Sequence, residues 1–409
     1  MKKNKLSKII AQCLSLGIFG LPAAQSGNFI TVDSISDQPE PGLTTLREAI
    51  VSGNIISGAE IVFDAELFSV PQTITLQKGE IRISENIGIF GPGKDLLTID
   101  GNGNSRIFNI NNEDESQVRA FVEGVTLTNG FASDVNGREG GCILSFEELT
   151  LRNSTVTQCE SRGNGGGIKS LFATLSLESS TVSNNLSRFN GGGIYVREAS
   201  TVINNTTISG NTSRGSGGGI YGFRDMDIEL LNSTISGNAL MFQNQEGGGV
   251  FIKERTTGLK LKNTTVFNNT GEGIYSRNSS PINFSNSVIA SNSRGDCVFA
   301  QINSNSDSQN SLDTDGSCDV NASDHATVTD PMLEPLTDNG GSTQTHRPLF
   351  DSPLVDGGND LLCLEVDQRD VLRPQDGDGD GTATCDIGAV ERMLTTDIIF
   401  NNGFEPGQD

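Results

Sequence analysis

Three kinds of side chain in this 409-residue sequence have types and spacings that could do chemistry: clustered carboxylates, aromatic rings beside cations, and an even set of cysteines. Asp225, Asp227 and Glu229 are spaced by two, so a strand would turn all three to one face, with Arg224 alongside. Glycoside hydrolysis needs convergent carboxylates, one acting as acid and one as base. Polysaccharide lyase chemistry needs an acidic calcium site with a Lys or Arg base. The competing reading of this trio is a solvated loop end. That reading is preferred, because a run of charges is ordinarily a solvated face; most other acids between residues 150 and 295 sit singly beside turns. The two histidines, His325 and His346, lie outside the repeated part of the chain, and no G-x-S-x-G word marks a nucleophile.

A second acidic group, Asp376, Asp378 and Asp380 followed by Gly381, reads D-x-D-x-D-G. Alternate carboxylates of that kind can surround one cation, as in the first half of an EF-hand loop. The twelfth position is Ile387 rather than Glu, and Asp386 is the available substitute. The expectation is a calcium site of Asp376, Asp378, Asp380 and Asp386, weighed against a solvated acidic turn.

The aromatic group is a strip. If Ile194, Ile220, Val250 and Ile274 point inward, their successors Tyr195, Tyr221, Phe251 and Tyr275 point outward. Two residues further on, on the same face, stand Arg197, Phe223, Lys253 and Arg277. Exposed rings flanked by cations suit sugar rings or another protein surface. The plainer alternative is an aromatic ladder that covers the sheet.

Cysteines point to the compartment. Six remain when Cys13 is assigned to a cleaved leader, and an even count suits an exported chain with disulfides. Cys297 with Cys318 and Cys363 with Cys385 are near in sequence, and Cys142 with Cys159 follows by elimination. The leader is read from Lys2, Lys3, Lys5 and Lys8, the apolar run 9–21, and small residues at Ala23, Ala24 and Ser26. That run is short for a membrane span of about 20 residues. No later stretch is apolar enough to replace it. A formal net charge of −23 argues against nucleic acid or anionic lipid as partner, and leaves room for cations such as calcium.

The elements that must position these groups are set by a repeat. A glycine cluster followed by an aliphatic residue recurs at Ile143, Ile168, Ile194, Ile220, Val250 and Ile274, spaced 25, 26, 26, 30 and 24. A second marker, resembling N-S-T-I-S-G-N, recurs at Val156, Val182, Ile208, Ile235, Val266 and Ile289, spaced 26, 26, 27, 31 and 23. Units this short cannot bury their own apolar side chains and must stack into one core. Alternating short runs separated by Gly and Asn indicate two or three strands per unit. A propeller blade would need about 40 residues. The fold expected is all-β, a right-handed parallel β-helix of the pectin-lyase-like kind with a loop-rich C-terminal region.

Two polar columns keep the same register. One holds Asn153, Asn205, Asn232, Asn263 and Asn286, with Ser179 in the remaining unit. The other holds Asn185, Asn211, Asn238, Asn269 and Asn292, with Cys159 first. Stacked about 4.8 Å apart, both are expected to form amide ladders. A ladder is preferred to glycosylation at those positions that form sequons.

Certain words carry a family resemblance. T-L-R-E-A-I at 45–50, I-V-F-D at 61–64, G-P-G at 91–93 and T-I-D-G at 98–101 resemble the CSLREA-type opening of bacterial right-handed β-helix proteins. D-Q-R at 367–369, R-P at 373–374 and C-D-I-G-A-V-E at 385–391 resemble the choice-of-anchor Q domain. The glycine and asparagine words are also similar to repeats of polymorphic outer-membrane proteins, without the C-terminal barrel that autotransporters carry. The words at 398–405 look like a short terminal tag of some Gram-negative proteins. The resemblance implies extracellular or outer-surface placement without a defined chemistry.

The organisation expected is a signal peptide at 1–26, a cap and first rungs at 27–139, and glycine-initiated repeats at 140–295. C-terminal rungs with the anchor-like region follow at 296–391, then a tail at 392–409. The function expected is an adhesion or interaction scaffold that binds a surface glycan or a protein ligand. A carbohydrate-active enzyme on the same fold is the alternative, and no polysaccharide cleavage is expected.

Overall fold

The computed structural model describes residues 28–113, 116–133, 137–254, 258–277, 281–299, 307–318 and 328–394. The leader with Cys13, His325 and the words at 398–405 lie outside the described residues. The chain winds into a right-handed parallel β-helix, the hand that parallel crossovers take. Four sheets run along it, with eleven, ten, nine and five strands. One central turn shows the plan. Ile168–Leu171 lies in what we call sheet III, Leu175–Glu178 in sheet I, Thr181–Ser183 in sheet II and Leu186–Ser187 in a narrow fourth sheet.

Both repeat markers become inward columns. Ile168, Ile194, Ile220, Val250 and Ile274 pair in register along sheet III. Val182, Ile208, Ile235, Val266 and Ile289 do so along sheet II. Ile194 and Ile208 are both fully buried in one continuous core. The expected two or three strands per unit become four. The fourth strand is two residues long, too short to show alternation in a sequence.

Helix α1 (Leu46–Gly53) closes the N-terminal end, which explains T-L-R-E-A-I physically. Thr45 is the N-cap, its side chain accepts from the Glu48 N–H, and the Glu48 carboxylate accepts from the Thr45 N–H. Leu46, Ala49 and Ile50 plug the core, while Arg47 pairs with Asp37 at 2.7 Å.

The two asparagine columns diverge. Asn185, Asn211, Asn238, Asn269 and Asn292 form an internal ladder, each Nδ2 donating to the next Oδ1 at 2.9–3.0 Å. The ladder ends on Asp296 Oδ1 at 2.9 Å and starts below the Cys142–Cys159 disulfide, where the Cys159 N–H donates to Asn185. The other column does not ladder, contrary to expectation. Asn153, Asn205, Asn232, Asn263 and Asn286 sit at left-handed corners with φ of 43–49°. At that corner Cβ is turned away from the barrel, so the amide points outward. Four of these amides reach the C-terminal segment: Asn232 donates to Val366 O, Asn205 to Asp370 and Asn286 to Asn359 O, while Asn263 donates to Asp386 O and accepts the Leu364 N–H. Asn205, Asn232 and Asn263 are consequently buried, which leaves no room for a glycan there.

The C-terminal segment, residues 328–394, is a strap laid over sheet II and its corner with sheet I. The D-Q-R and C-D-I-G-A-V-E words are its polar core. Arg373 meets Glu391 at 2.8 Å with both side chains fully buried. Gln368 donates to Thr207 and Thr343 at 2.8 Å and accepts from Thr234 at 2.7 Å. Cys363–Cys385 ties the strap to itself, and Cys297–Cys318 closes the last turns.

Candidate functional site on the outer face of sheet III

Strands Ile194–Arg197, Ile220–Phe223, Val250–Ile252 and Ile274–Ser276 carry the aromatic strip outward, as the alternation requires. Tyr195, Tyr221, Phe251 and Tyr275 stack with centroids 5.2, 5.0 and 5.5 Å apart and planes within 20°. The expectation that these rings lie open to solvent is corrected. Tyr195 is 7 % exposed, Tyr221 4 % and Phe251 1 %. The cause is the rung spacing itself: rings one strand apart touch face to face, so each interior ring is covered by its neighbours. Burial pushes the Tyr195 hydroxyl up to about 12 and raises those of Tyr221 and Tyr275 as well. Below Tyr195 the same column continues through Lys169 to Leu144, and Leu171, in register with Arg197, packs beside it with Phe146, so the ladder is part of an external hydrophobic layer.

What solvent meets instead is the adjoining column. Arg197 lies over Phe223 at 5.6 Å and over Phe172 at 5.4 Å. Lys253 and Arg224 lie over Phe223 at 5.0 and 5.1 Å, and Arg277 lies over Phe251 at 5.4 Å. Cation–π contact within about 6 Å is attractive and keeps each cation flat against its ring. Acids complete the lattice: Glu198 holds Arg197 and Arg224, Glu254 holds Arg224, Glu246 holds Arg277, and Glu139 holds Lys169. Phe172 is 54 % exposed and stands at the edge of this lattice.

Sequence reasoning missed Phe172, Glu198, Arg224 and Glu254 as members of the face. The signal was present, since each lies four residues after the inward aliphatic of its turn. These positions follow the strand proper, and Phe172, Glu198 and Arg224 have φ of 66, 52 and 57°. Strand alternation gives no account of where such residues point.

The alternative catalytic trio does not converge. Asp225 sits in an exposed turn with φ of 41°, ahead of the strand Asp227–Leu231, so alternation does not carry it to the face of Asp227 and Glu229. Asp227 lies 3.8 Å from Lys260 on the next strand, an ordinary cross-strand charge pair.

The expected calcium quartet is also regrouped. Oxygens of Asp356, Asp376 and Asp378 lie within 4.8 Å of one another. Asp380 is exposed and accepts the Thr382 N–H. Asp386 is fully buried, its carboxylate taken by the Asp356 and Arg392 N–H groups at 2.7 and 2.6 Å. Burial holds Asp386 well above the ordinary carboxylate range, with the Glu391 charge adding to it. It belongs to the strap core and not to the loop. Asp356, thirty residues from Asp386 in sequence, has no spacing that would mark it.

Comparisons follow this geometry. Residues 170–330 match a family model described as the right handed beta helix region. That span is a right-handed β-helix region. It contains most of the aromatic ladder and ends as the strap begins. The crystal structure of pectate lyase Pel9A is similar to this chain with a TM-score of 0.45 and 14 % identity, over 90 % of this chain and 98 % of that one. No curated protein matches the sequence.

Proposed function

We propose that the protein is an exported, surface-associated scaffold that binds a glycan on the outer face of sheet III. The observation that carries this reading is the lattice of Arg197, Phe223, Arg224, Lys253 and Arg277 with the exposed ring of Phe172 at its edge, where ring surface and multiple donors lie side by side. Hydroxyl-rich rings need both, an apolar platform and fixed hydrogen-bonding groups. The paired acids nearly cancel the cations, which favours a neutral sugar chain over a polyanion. The stacked ladder beneath makes the platform rigid, so little ordering entropy opposes binding.

Export is supported by three disulfides, which persist in oxidising compartments. No helix among the described residues is long and apolar enough to cross a membrane. Placement at the outer surface of a Gram-negative cell rests on the resemblance of the terminal words. A calcium ion at Asp356, Asp376 and Asp378 is a further part of the proposal, since hard cations take clustered carboxylate oxygens.

A glycan array tests the reading. Wild type should bind a subset of neutral glycans, and Phe172→Ala with Arg197→Ala should lose them at unchanged melting temperature. Binding that survives both substitutions would move the site elsewhere.

A further inference from the structure

We propose that Ser236 and His346 form a nucleophile–base pair that hydrolyses small acyl esters in a cavity between the strap and sheet II. Ser236 ends the strand Thr234–Ser236, and its Oγ lies 2.7 Å from His346 Nε2. On the other side of the ring, His346 Nδ1 lies 2.7 Å from the Glu334 carbonyl oxygen. A carbonyl only accepts, so Nδ1 carries the proton and Nε2 presents its lone pair to the serine hydroxyl. The ring is clamped edge-on against Phe267 at 4.8 Å. The tautomer and the orientation are those a general base needs, with a backbone carbonyl in the orienting role usually filled by a carboxylate.

Both residues line a cavity of roughly 540 Å³. Its opening has a cause in the sequence. The left-handed corner after sheet II bears a side chain at Asn184 and Asn268, but glycine at Gly210 and Gly237 between them. A Cβ on Gly237 would meet nothing within 4 Å, so that glycine cuts a notch beside Ser236, while the Asn184 side chain leans over Gly210, its Oδ1 2.7 Å from where a Cβ would stand. Asn184 and Asn268 stand at the two ends of that notch. Asn268, one strand from Gly237, is the nearer to Ser236; its side-chain amide has no hydrogen-bond partner among the described residues and is the one that can donate to an oxyanion.

The chemistry balances with water as the only co-reactant. Ser236 Oγ bonds to the ester carbonyl carbon as its proton passes to His346 Nε2. The tetrahedral intermediate collapses, and the leaving alcohol departs with that proton. Water then attacks the acyl-serine, again giving a proton to Nε2. The acid is released and the serine hydroxyl restored. A cavity of this size takes a short acyl group on a sugar-sized alcohol.

The test uses the intact chain with p-nitrophenyl acetate and a fluorophosphonate probe. Wild type should turn over the ester and carry the probe on Ser236 by mass mapping. Ser236→Ala should lose both, and His346→Gln should lose about a hundredfold in rate or more, the usual size of a base contribution. Asn268 is exposed, so Asn268→Ala should fold as wild type while lowering kcat more than it raises KM. The rate should fall as the pH is lowered, with the fall displaced to more acid pH than a free imidazole would give, since burial lowers the His346 pKa and the facing charges, Glu334 and Arg347, pair with each other. Folded wild type that neither turns over the ester nor labels at Ser236 would overturn the proposal. So would labelling of equal rate in folded His346→Gln.

Discussion

Sheets II and III belong to one solenoid and share one core, yet their outer faces are built in opposite ways. Sheet II presents Thr207, Thr234 and Thr265, small hydroxyls that a second layer of chain can approach, and the strap covers them through Gln368 and the Ala389 N–H. Sheet III presents rings and cations, and these cover themselves. The difference teaches how a repeat protein disposes of an outer surface. Short polar side chains invite backbone, whereas large stacked ones exclude it and leave a finished face.

The largest expected effect tests the covered side. Arg373→Met leaves Glu391 buried without its partner and should cost about 4 kcal/mol, read from urea unfolding. A cost under about 1 kcal/mol would mean that the strap is not part of the cooperative fold.

Next comes the self-covered side. Tyr221→Ala removes a ring stacked on both faces and should cost about 3 kcal/mol. Had the rings faced solvent, the cost would stay near 0.5 kcal/mol or less, as for ordinary surface positions.

Calcium tests the strap loop. At a hundredfold excess over its Kd it should raise stability by about 2.7 kcal/mol, and Asp378→Asn should remove that gain. An unchanged melting temperature with and without chelator would dismiss the ion.

The smallest effect is the pH dependence of strap docking. His346 is held neutral in the folded state, while the unfolded chain takes a proton near 6.5. Stability should therefore fall as pH drops below 6.5 in wild type relative to His346→Gln. Taking the difference cancels Asp386 and Glu391, whose raised carboxyls act in the opposite sense in both proteins. Parallel pH curves would show that His346 does not contribute.

Much of the fold was legible because parallel stacking forces a fixed period on glycines and inward aliphatics, and the register of Ile194 with Ile220 follows that period. The aromatic column was legible for the same reason. Its burial was not, because exposure depends on contact between turns, which no single repeat contains. Asn211 and Asn205 looked alike in sequence, yet one is a rung of the internal ladder and the other holds the strap. Backbone φ at the corner separates them, and asparagine tolerates both conformations. Asp356 and Ser236 were missed because the strap brings distant residues together, and a strap has no period. The disulfide pairings were legible because each bridge closes a short loop of 17–22 residues.

The central claim is that the glycan is bound by the finished face of sheet III and not by the cavity under the strap. The most direct measurement is calorimetric titration of one array-identified glycan into wild type, Phe172→Ala and Asn184→Ala. The account predicts about 2 kcal/mol of lost affinity, roughly thirtyfold in Kd, for Phe172→Ala alone. Equal affinity in wild type and Phe172→Ala, with loss in Asn184→Ala, would contradict it and place recognition under the strap.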